Sequence, residues 1–418
     1  MNAIRSLFDI ISTDNEGIQT WIDKSTEGLL LPVYSSHDIR NSGFKVSTVD
    51  ANAFPAGFNN LCDNSLKISS EYLREYMVSN FPFVRNILLL VEEHTRNLFY
   101  LENVFILSEI IKNAGYDVVC GILGTSKYNL NTVSRKEIIL YPVEYNQRKI
   151  AVAGFIPDIV LSNNDFSSGK PEQLFSIDQP VIPLPEMGWY RRRKSEHFRL
   201  YCKLAEEIAM KYSFDPWLIS GYYDWVEGID FKSEKMFEET GEKIDSVLKK
   251  IQMKYNEYSI PDKPFVFIKN NSGTYGMAVM TAESGKDFIL MNRATKNKMS
   301  YGKNKALVSS VIIQEGIPTI DMLNGKVAEP LLYFIGKHPV GGFFRFHTQR
   351  NKKENLNVRG MLFDYDNLCP MDSGMFSTAK QSNVGQENIQ IYKLIGILST
   401  IAQAYESQQI ISHENKKT

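Results

Sequence analysis

The chain lacks most of the features that would place it in several large functional classes. Its 418 residues hold four cysteines, Cys62, Cys120, Cys202 and Cys369, far apart and with no CxxC pair. Neither a disulfide framework nor a cysteine-held zinc is therefore expected. The six histidines are equally scattered, and no HExxH occurs. An excess of one charge is missing too. Lys and Arg number 47 against 48 Asp and Glu, which argues against a broad surface for nucleic acid or anionic lipid. Apolar runs such as Ile87–Val91 are far too short to span a bilayer. Met1 to Ser12 shows neither an h-region nor a small-residue cleavage site. A cytoplasmic protein acting on small molecules is expected, with no nucleic-acid or membrane partner. Its oligomeric state is not legible.

What is present is an ordinary globular composition, 43% hydrophobic and 23% charged, able to bury a large core. At about 150 residues per domain, two to three domains are expected. The first 80 or so residues read as helix, loop and mixed structure. Asn86–Val91 then has the continuous apolar look of a strand buried on both faces. Leu98–Asn113 carries apolar residues at helical spacing, with Gly115 as a stop, and Tyr116–Leu123 is a second strand. Strand, helix, strand is a βαβ unit, and Lys136–Val143 and Pro157–Ser162 add strands. The reading is an α/β fold: an open α/β substrate-binding domain over 1–185, then an α+β nucleotide-binding and catalytic region over 186–418. That second region opens with helices over Ser195–Tyr212 and Ser233–Tyr258. It turns to β texture after Pro264 and closes with a helix over Ile391–Glu406.

The most informative segment runs from Phe265 to Met280. A strand ends in Lys269, a small polar loop comes next, and a second strand begins near Met277. Gly273 and Gly276 let the backbone approach a ligand closely, and successive N–H groups in such a loop can nest phosphate oxygens. No GKS or GKT is present and no helix succeeds the loop, so this is not a P-loop. A glycine loop between antiparallel strands is instead the phosphate cover of ATP-grasp enzymes and kinases, although two glycines in a hairpin are by themselves more often structural. The order of the segments downstream adds weight. Val311-Ile-Ile-Gln-Glu-Gly-Ile317 has the look of a linker whose backbone reads adenine. Ala328–Ile335 is a strand with an acid at its start, Gly341–His347 sets Arg345 on a strand, and Glu354–Gly360 is an Asn-rich turn. This serial layout is that of an ATP-grasp half.

A family resemblance then becomes plain. Gly273-Thr-Tyr-Gly-Met277, Gln314-Glu-Gly316, Gly341-Gly-Phe-Phe-Arg345 and Glu354-Asn-Leu-Asn357 resemble the glutamate–cysteine ligases of the rare proteobacterial type. So do Phe54–Leu61, His94-Thr-Arg-Asn97 and Arg192-Arg-Lys-Ser195, and the matches extend over most of the chain. The resemblance implies ATP- and Mg²⁺-dependent formation of γ-glutamylcysteine, the first step of glutathione synthesis. One departure stands out. The family's loop reads Lys-Ala-Asp-Ala-Gly, whereas this chain has Lys269-Asn-Asn-Ser-Gly273, so Asn271 replaces an acid.

Joining a carboxylate to an amine requires an activated acyl group. ATP-grasp ligases make an acyl phosphate, so cations must gather around phosphates and water must be kept out. Lys269 and the loop residues Ser272, Gly273, Thr274, Tyr275 and Gly276 are assigned to the ATP phosphates. Gln314, Glu315, Gly316 and Ile317 are assigned to adenine. Arg345 is assigned to the transferring phosphoryl group, against a structural salt bridge as the plain alternative. Metal candidates are Asn355, Asn357, Glu354 and Glu329, with Asp364 and Asp366 as further acids. Asn355 aligns equally well with the Asn of the Arg-x-Asn-Leu turn in glutathione synthetases, and both alignments stay open. Substrate candidates are Arg96 and Asn97, beyond the end of a strand where open sheets bind ligands. Asn59, Asn60, Arg192 and Lys194 complete the set. Two other outcomes remain open: an ATP-grasp ligase for another amino acid or peptide, and a nucleotide-binding module without chemistry.

Overall fold

Continuous apolar runs build a mostly parallel sheet in the computed structural model, which describes residues 3–273, 276–303, 307–364, 368–371, 376–377 and 382–414. Its order is Val181–Ile182, Ile159–Ser162, Asn86–Leu90, Asp117–Ile122, Glu137–Pro142 and Tyr128–Asn131, and only the last pair is antiparallel. Leu88, Leu89 and Leu90 are wholly buried, as a strand covered on both faces requires. Helix Leu98–Asn113 makes the crossover between Asn86–Leu90 and Asp117–Ile122.

A second, four-stranded antiparallel sheet has the order Tyr223–Glu227, Ser310–Glu315, Val266–Asn270, Val279–Ala282. Helix Glu234–Glu257 covers it, burying Phe237, Ile244, Val247 and Ile251.

The third sheet is antiparallel and runs Leu362–Asp364, His338–Phe346, Lys326–Ile335, Ser35–Asn41, Val46–Asn52. Met322–Leu323 pairs alongside Lys326–Ile335. Two of these strands come from the stretch read as helix, loop and mixed structure. The boundary expected at residue 185 therefore does not divide the sheets, because this one draws strands from both sides of it. Helix Gln386–Glu414 packs on one face, where His37 bonds Thr400 at 2.9 Å and Asn41 bonds Tyr392 at 2.9 Å. The opposite face opens on a cleft.

The expectation of no disulfide is corrected. Cys62, at the start of helix Asp63–Asn80, is bonded to Cys369 across a separation of 307 residues. Distance along the chain hid the pair, because folding lays the 368–371 segment over the start of that helix. Among the described residues no helix is long and apolar enough to cross a membrane.

Candidate active site

Four charged side chains gather in two adjacent cross-strand pairs on the open face of the third sheet. Asp50 lies directly opposite Asp38 on the neighbouring strand, and Glu329 lies directly opposite Arg345. Directly opposed residues of an antiparallel pair share a face, and like charges there repel. Arg345 resolves the conflict. It donates to Glu329 from Nε at 2.9 Å and from Nη2 at 2.7 Å, and Nη2 also pairs with Asp38. Arg40 supports the arrangement from the same face, donating from Nε to Glu329 at 2.7 Å and to the Ile317 and Glu354 carbonyls at 3.2 and 2.7 Å. Burial disfavours charge on Arg345, but Asp38 and Glu329 outweigh it and hold the guanidinium charged. Burial raises Asp38, with Glu329 and Asp50 adding to the rise against Arg345. Burial also opposes charge on Glu329, but Arg40 and Arg345 keep that carboxyl below its usual range.

The second sheet supplies the facing wall. Strand Val266–Asn270 carries Lys269, whose Nζ donates to the Val49 carbonyl and to Gln314 Oε1, each at 2.9 Å. Burial pulls this ammonium down to about 8, with Asp50 opposing. Lys194, the first residue of helix Lys194–Tyr212, pairs with Asp50. Burial pushes the Asp50 carboxyl up, but Lys194 and Lys269 prevail and hold it low. Its side chain remains 38% exposed. Lys269 and Arg345 thus line one cleft, together with Lys194, Asp38, Asp50 and Glu329. Gly273, Gly276, Asn355 and Asn357 line it too. Gly276 has φ +62°, and a Cβ there would lie 2.3 Å from the Asn357 carbonyl oxygen. Only glycine lets the hairpin loop meet the Asn turn so closely.

Other candidates lie elsewhere. Arg96 is exposed, and Asn97 caps helix Leu98–Asn113 by accepting from the Tyr100 N–H; neither lines the cleft. Asn59 and Asn60 bond one another at 3.1 Å in a short 3₁₀ turn away from it. Arg192 is 5% exposed and fully engaged, donating to Glu406 from Nε and Nη2 and to the Ala51 carbonyl from Nη1. Of the four-cation cluster expected at 191–194, Lys194 alone lines the cleft.

In the expected adenine linker, Gln314 accepts from Lys269 of the cleft, and part of the backbone is already engaged. The N–H groups of Glu315 and Gly316 bond the Tyr222 and Phe265 carbonyls. The Glu315 carboxylate is buried against Lys45 at 2.8 Å and accepts from Trp217 and Tyr222, and the stretch 314–317 does not line the cleft. The carboxylate of Glu354 pairs with Arg350 at 2.7 Å and caps Asn351, so it turns away from the cleft. The Ser272 N–H bonds the Asn270 side chain at 3.0 Å. Thr274, Tyr275 and Asp366 lie outside the described residues.

Asn271 is wholly buried away from the cleft. Its amide accepts from the Ser195 N–H at 2.9 Å and donates to the hydroxyls of Ser195 and Ser310 at 3.0 and 2.9 Å. The departure from the family's acid thus falls on the seam between hairpin and helix, where it fixes the start of helix Lys194–Tyr212 beside Lys194.

Comparison with known proteins decides the affiliation. The family model described as "GshA: Glutamate-cysteine ligase" matches residues 9–407. The chain belongs to the glutamate–cysteine ligase family. Its activity is the ATP-dependent ligation of glutamate and cysteine. Among solved structures, a provisionally named gamma-glutamylcysteine synthetase from Methylobacillus flagellatus KT is similar at 34% identity and a TM-score of 0.87, covering 98% of this chain and 97% of that one. D-alanyl-alanine synthetase A from Vibrio cholerae O1 biovar eltor str. N16961 gives a TM-score of 0.34 at 9% identity, over 75% of this chain and 80% of that one, and carries no argument. A search of curated proteins finds no match.

Sequence reasoning missed Asp38, Arg40 and Asp50 as cleft residues of this ligase. The available signal was charge at a spacing of two in Asp38-Ile-Arg40, the period of one strand face. It was masked because the strand around it is polar at every position but Ile39.

Proposed function

We propose that this cleft is where the ligase activates its carboxylate substrate, in an ATP-grasp-like manner. The observation that carries the reading is the convergence of Lys269 and Arg345, from two facing antiparallel sheets, on one cavity. A nucleotide held between such sheets would meet the Lys269 and Lys194 ammonium groups at its phosphates. Arg345, planar and held by two acids, is aimed to stabilise the phosphoryl group as it passes to the glutamate side-chain carboxylate. The acyl phosphate formed is then attacked by the cysteine amine, and phosphate leaves. The cleft holds about 50 Å³ as it stands, so the two sheets must part to admit a nucleotide and close again to exclude water.

The donors facing the cleft are carboxylate and amide oxygens, the type Mg²⁺ prefers. Among the described residues no three His, Cys, Asp or Glu side chains form a ready-made metal cluster. That suits an ion held by one or two carboxylates and the phosphates of its nucleotide. Asp38, with the Asn357 amide, would hold it, and it would supply charge neutralisation at the phosphates; Glu329 would join only on release from Arg40 or Arg345, which engage both of its oxygens. Asn355 is less suited, because its side-chain oxygen accepts from the Asn357 N–H at 2.9 Å.

The test is an anaerobic incubation of the full chain with ATP, Mg²⁺, glutamate and cysteine. Equal amounts of inorganic phosphate and γ-glutamylcysteine are expected. ADP and phosphate without dipeptide, or no turnover over a panel of amino acids, would refute the reading.

A further inference from the structure

Both amino acids that the ligase joins carry an α-ammonium group, and a cleft that excludes water must give such a charge an anion. Three carboxylates line the cleft. Glu329 has both oxygens taken by Arg40 and Arg345. Asp38 pairs with Arg345 and, in the reading above, holds Mg²⁺. Asp50 differs from both. Its Oδ1 accepts from the Ala51 N–H at 3.1 Å and pairs with Lys194. Its Oδ2 has no hydrogen-bond partner among the described residues, and it is not sealed from solvent.

The open oxygen belongs to a carboxylate that is charged and fixed in place. Burial opposes charge on Asp50, but Lys194 and Lys269 keep it anionic. Arg192 donates to the Ala51 carbonyl at 2.7 Å, which holds the adjoining backbone. Position then tells which of the two ammonium groups suits it. Asp50 lies directly opposite Asp38, and Asp38 pairs with Arg345. One strand spacing, about 5 Å, thus separates Asp50 from the acid that holds the phosphoryl-stabilising guanidinium. In extended glutamate the amine is about 5 Å from the γ-carboxyl carbon and about 2.5 Å from the α-carboxyl carbon. An ammonium anchored at Asp50 lets the γ-carboxylate reach toward Arg345 while the α-carboxylate falls short. The cysteine amine must shed its charge to attack, so a lasting ion pair would oppose its reaction.

We propose that Asp50 binds the α-ammonium group of glutamate and thereby selects the γ-carboxylate for activation. The inference rests on the cleft being the ligase site, as proposed above. It makes Asp50 a specificity residue: the bond to the ammonium is charge-assisted and forms only with an acid that carries an amine.

The test compares glutamate with glutarate, which keeps the side-chain carboxylate and lacks the amine. Phosphate release by the full chain is followed anaerobically with saturating ATP, Mg²⁺ and cysteine. The parent should prefer glutamate in kcat/KM roughly 10- to 100-fold, and in Asp50→Asn the preference should shrink to within about threefold. A parent that takes glutarate as readily overturns the proposal, whether or not the variant folds. So does an Asp50→Asn enzyme that is slower with both acids but keeps the preference, as a purely structural residue would make it. A variant whose KM rises for cysteine and not for glutamate also overturns it, by placing the other amine at Asp50. Failure of the underlying reading looks different: the parent then releases no phosphate with glutamate, and the proposal falls with it.

Discussion

Two concavities compete for the ligands of this chain, and they differ in the charge they present. The cleft between the second and third sheets is lined by Arg40, Lys194, Lys269 and Arg345 against Asp38, Asp50 and Glu329. The crevice beyond the carboxyl ends of the parallel strands is lined by Glu92 and Glu93 against Lys170, with His94 beside them. Within that crevice Glu92 takes the ammonium of Lys303 and, at 2.8 Å, the His94 ring, while Lys303 also bonds Asp165 at 2.9 Å. In open parallel sheets the crevice is where ligands usually bind. Here it carries the wrong sign for a polyphosphate, and the arginine expected to serve it stands in solvent. Position within a fold nominates a site; the balance of charge drawn from separate elements decides whether phosphate can occupy it.

The difference can be broken most forcefully at Arg345. Arg345→Met removes the cation shared by Asp38 and Glu329. Turnover should fall roughly 10²–10³-fold. Stability should drop by about 3–5 kcal/mol, because Asp38 loses its cation while Glu329 keeps only Arg40. Steady-state kinetics and denaturant unfolding read the two effects. Unchanged turnover would move the chemistry out of the cleft.

Lys269→Ala comes next, with the KM for ATP expected to rise about tenfold or more, the loss of one ammonium from the phosphates. The pH profile sharpens the same point. The free enzyme's lysine sits at about 8, so kcat/KM for ATP should decline as pH rises through that value. Lys269→Arg should flatten the decline. The stability effect has the opposite sign: between about 8 and the ordinary value of 10.5 the folded chain has shed a proton that the unfolded chain keeps, so this group favours folding more as pH rises. Arg96→Ala is the smallest change. It should leave turnover and KM within about twofold, as expected for a solvated surface cation. A large effect would return the crevice to consideration.

Much of the scaffold was readable because its signals are local. The strands Asn86–Leu90 and Asp117–Ile122 are apolar runs, and helix Lys194–Tyr212 has clear spacing. Lys269, Gly273, Gly276, Glu329 and Arg345 could be nominated for the cleft because their order along the chain carried a pattern. Ser35–Asn41 could not be read. Its sequence, Ser-Ser-His-Asp-Ile-Arg-Asn, has one aliphatic residue, yet six of its seven positions are buried. One face is buried by hydrogen bonds to helix Gln386–Glu414 and the other by ion pairs in the cleft, so hydrophobic alternation never develops. Arg192 misled for a related reason. It is close to Lys194 in sequence, but its partner Glu406 lies 214 residues away. Proximity along the chain said nothing about which cation was already engaged.

Strand Ser35–Asn41 pairs with Lys326–Ile335, about 290 residues later. At ribosomal speeds of about 5–20 residues per second, the N-terminal hairpin waits roughly 15–60 s for the partner that completes its sheet. A strand rich in Val or Ile would be exposed to wrong pairings throughout that interval. The hydroxyl and imidazole side chains that later meet helix Gln386–Glu414, and the charged ones that later line the cleft, keep the nascent segment well hydrated in the meantime. The polar pattern that hid this strand thus suits the wait for its partner, and two of its residues, Asp38 and Arg40, line the cleft once the sheet closes.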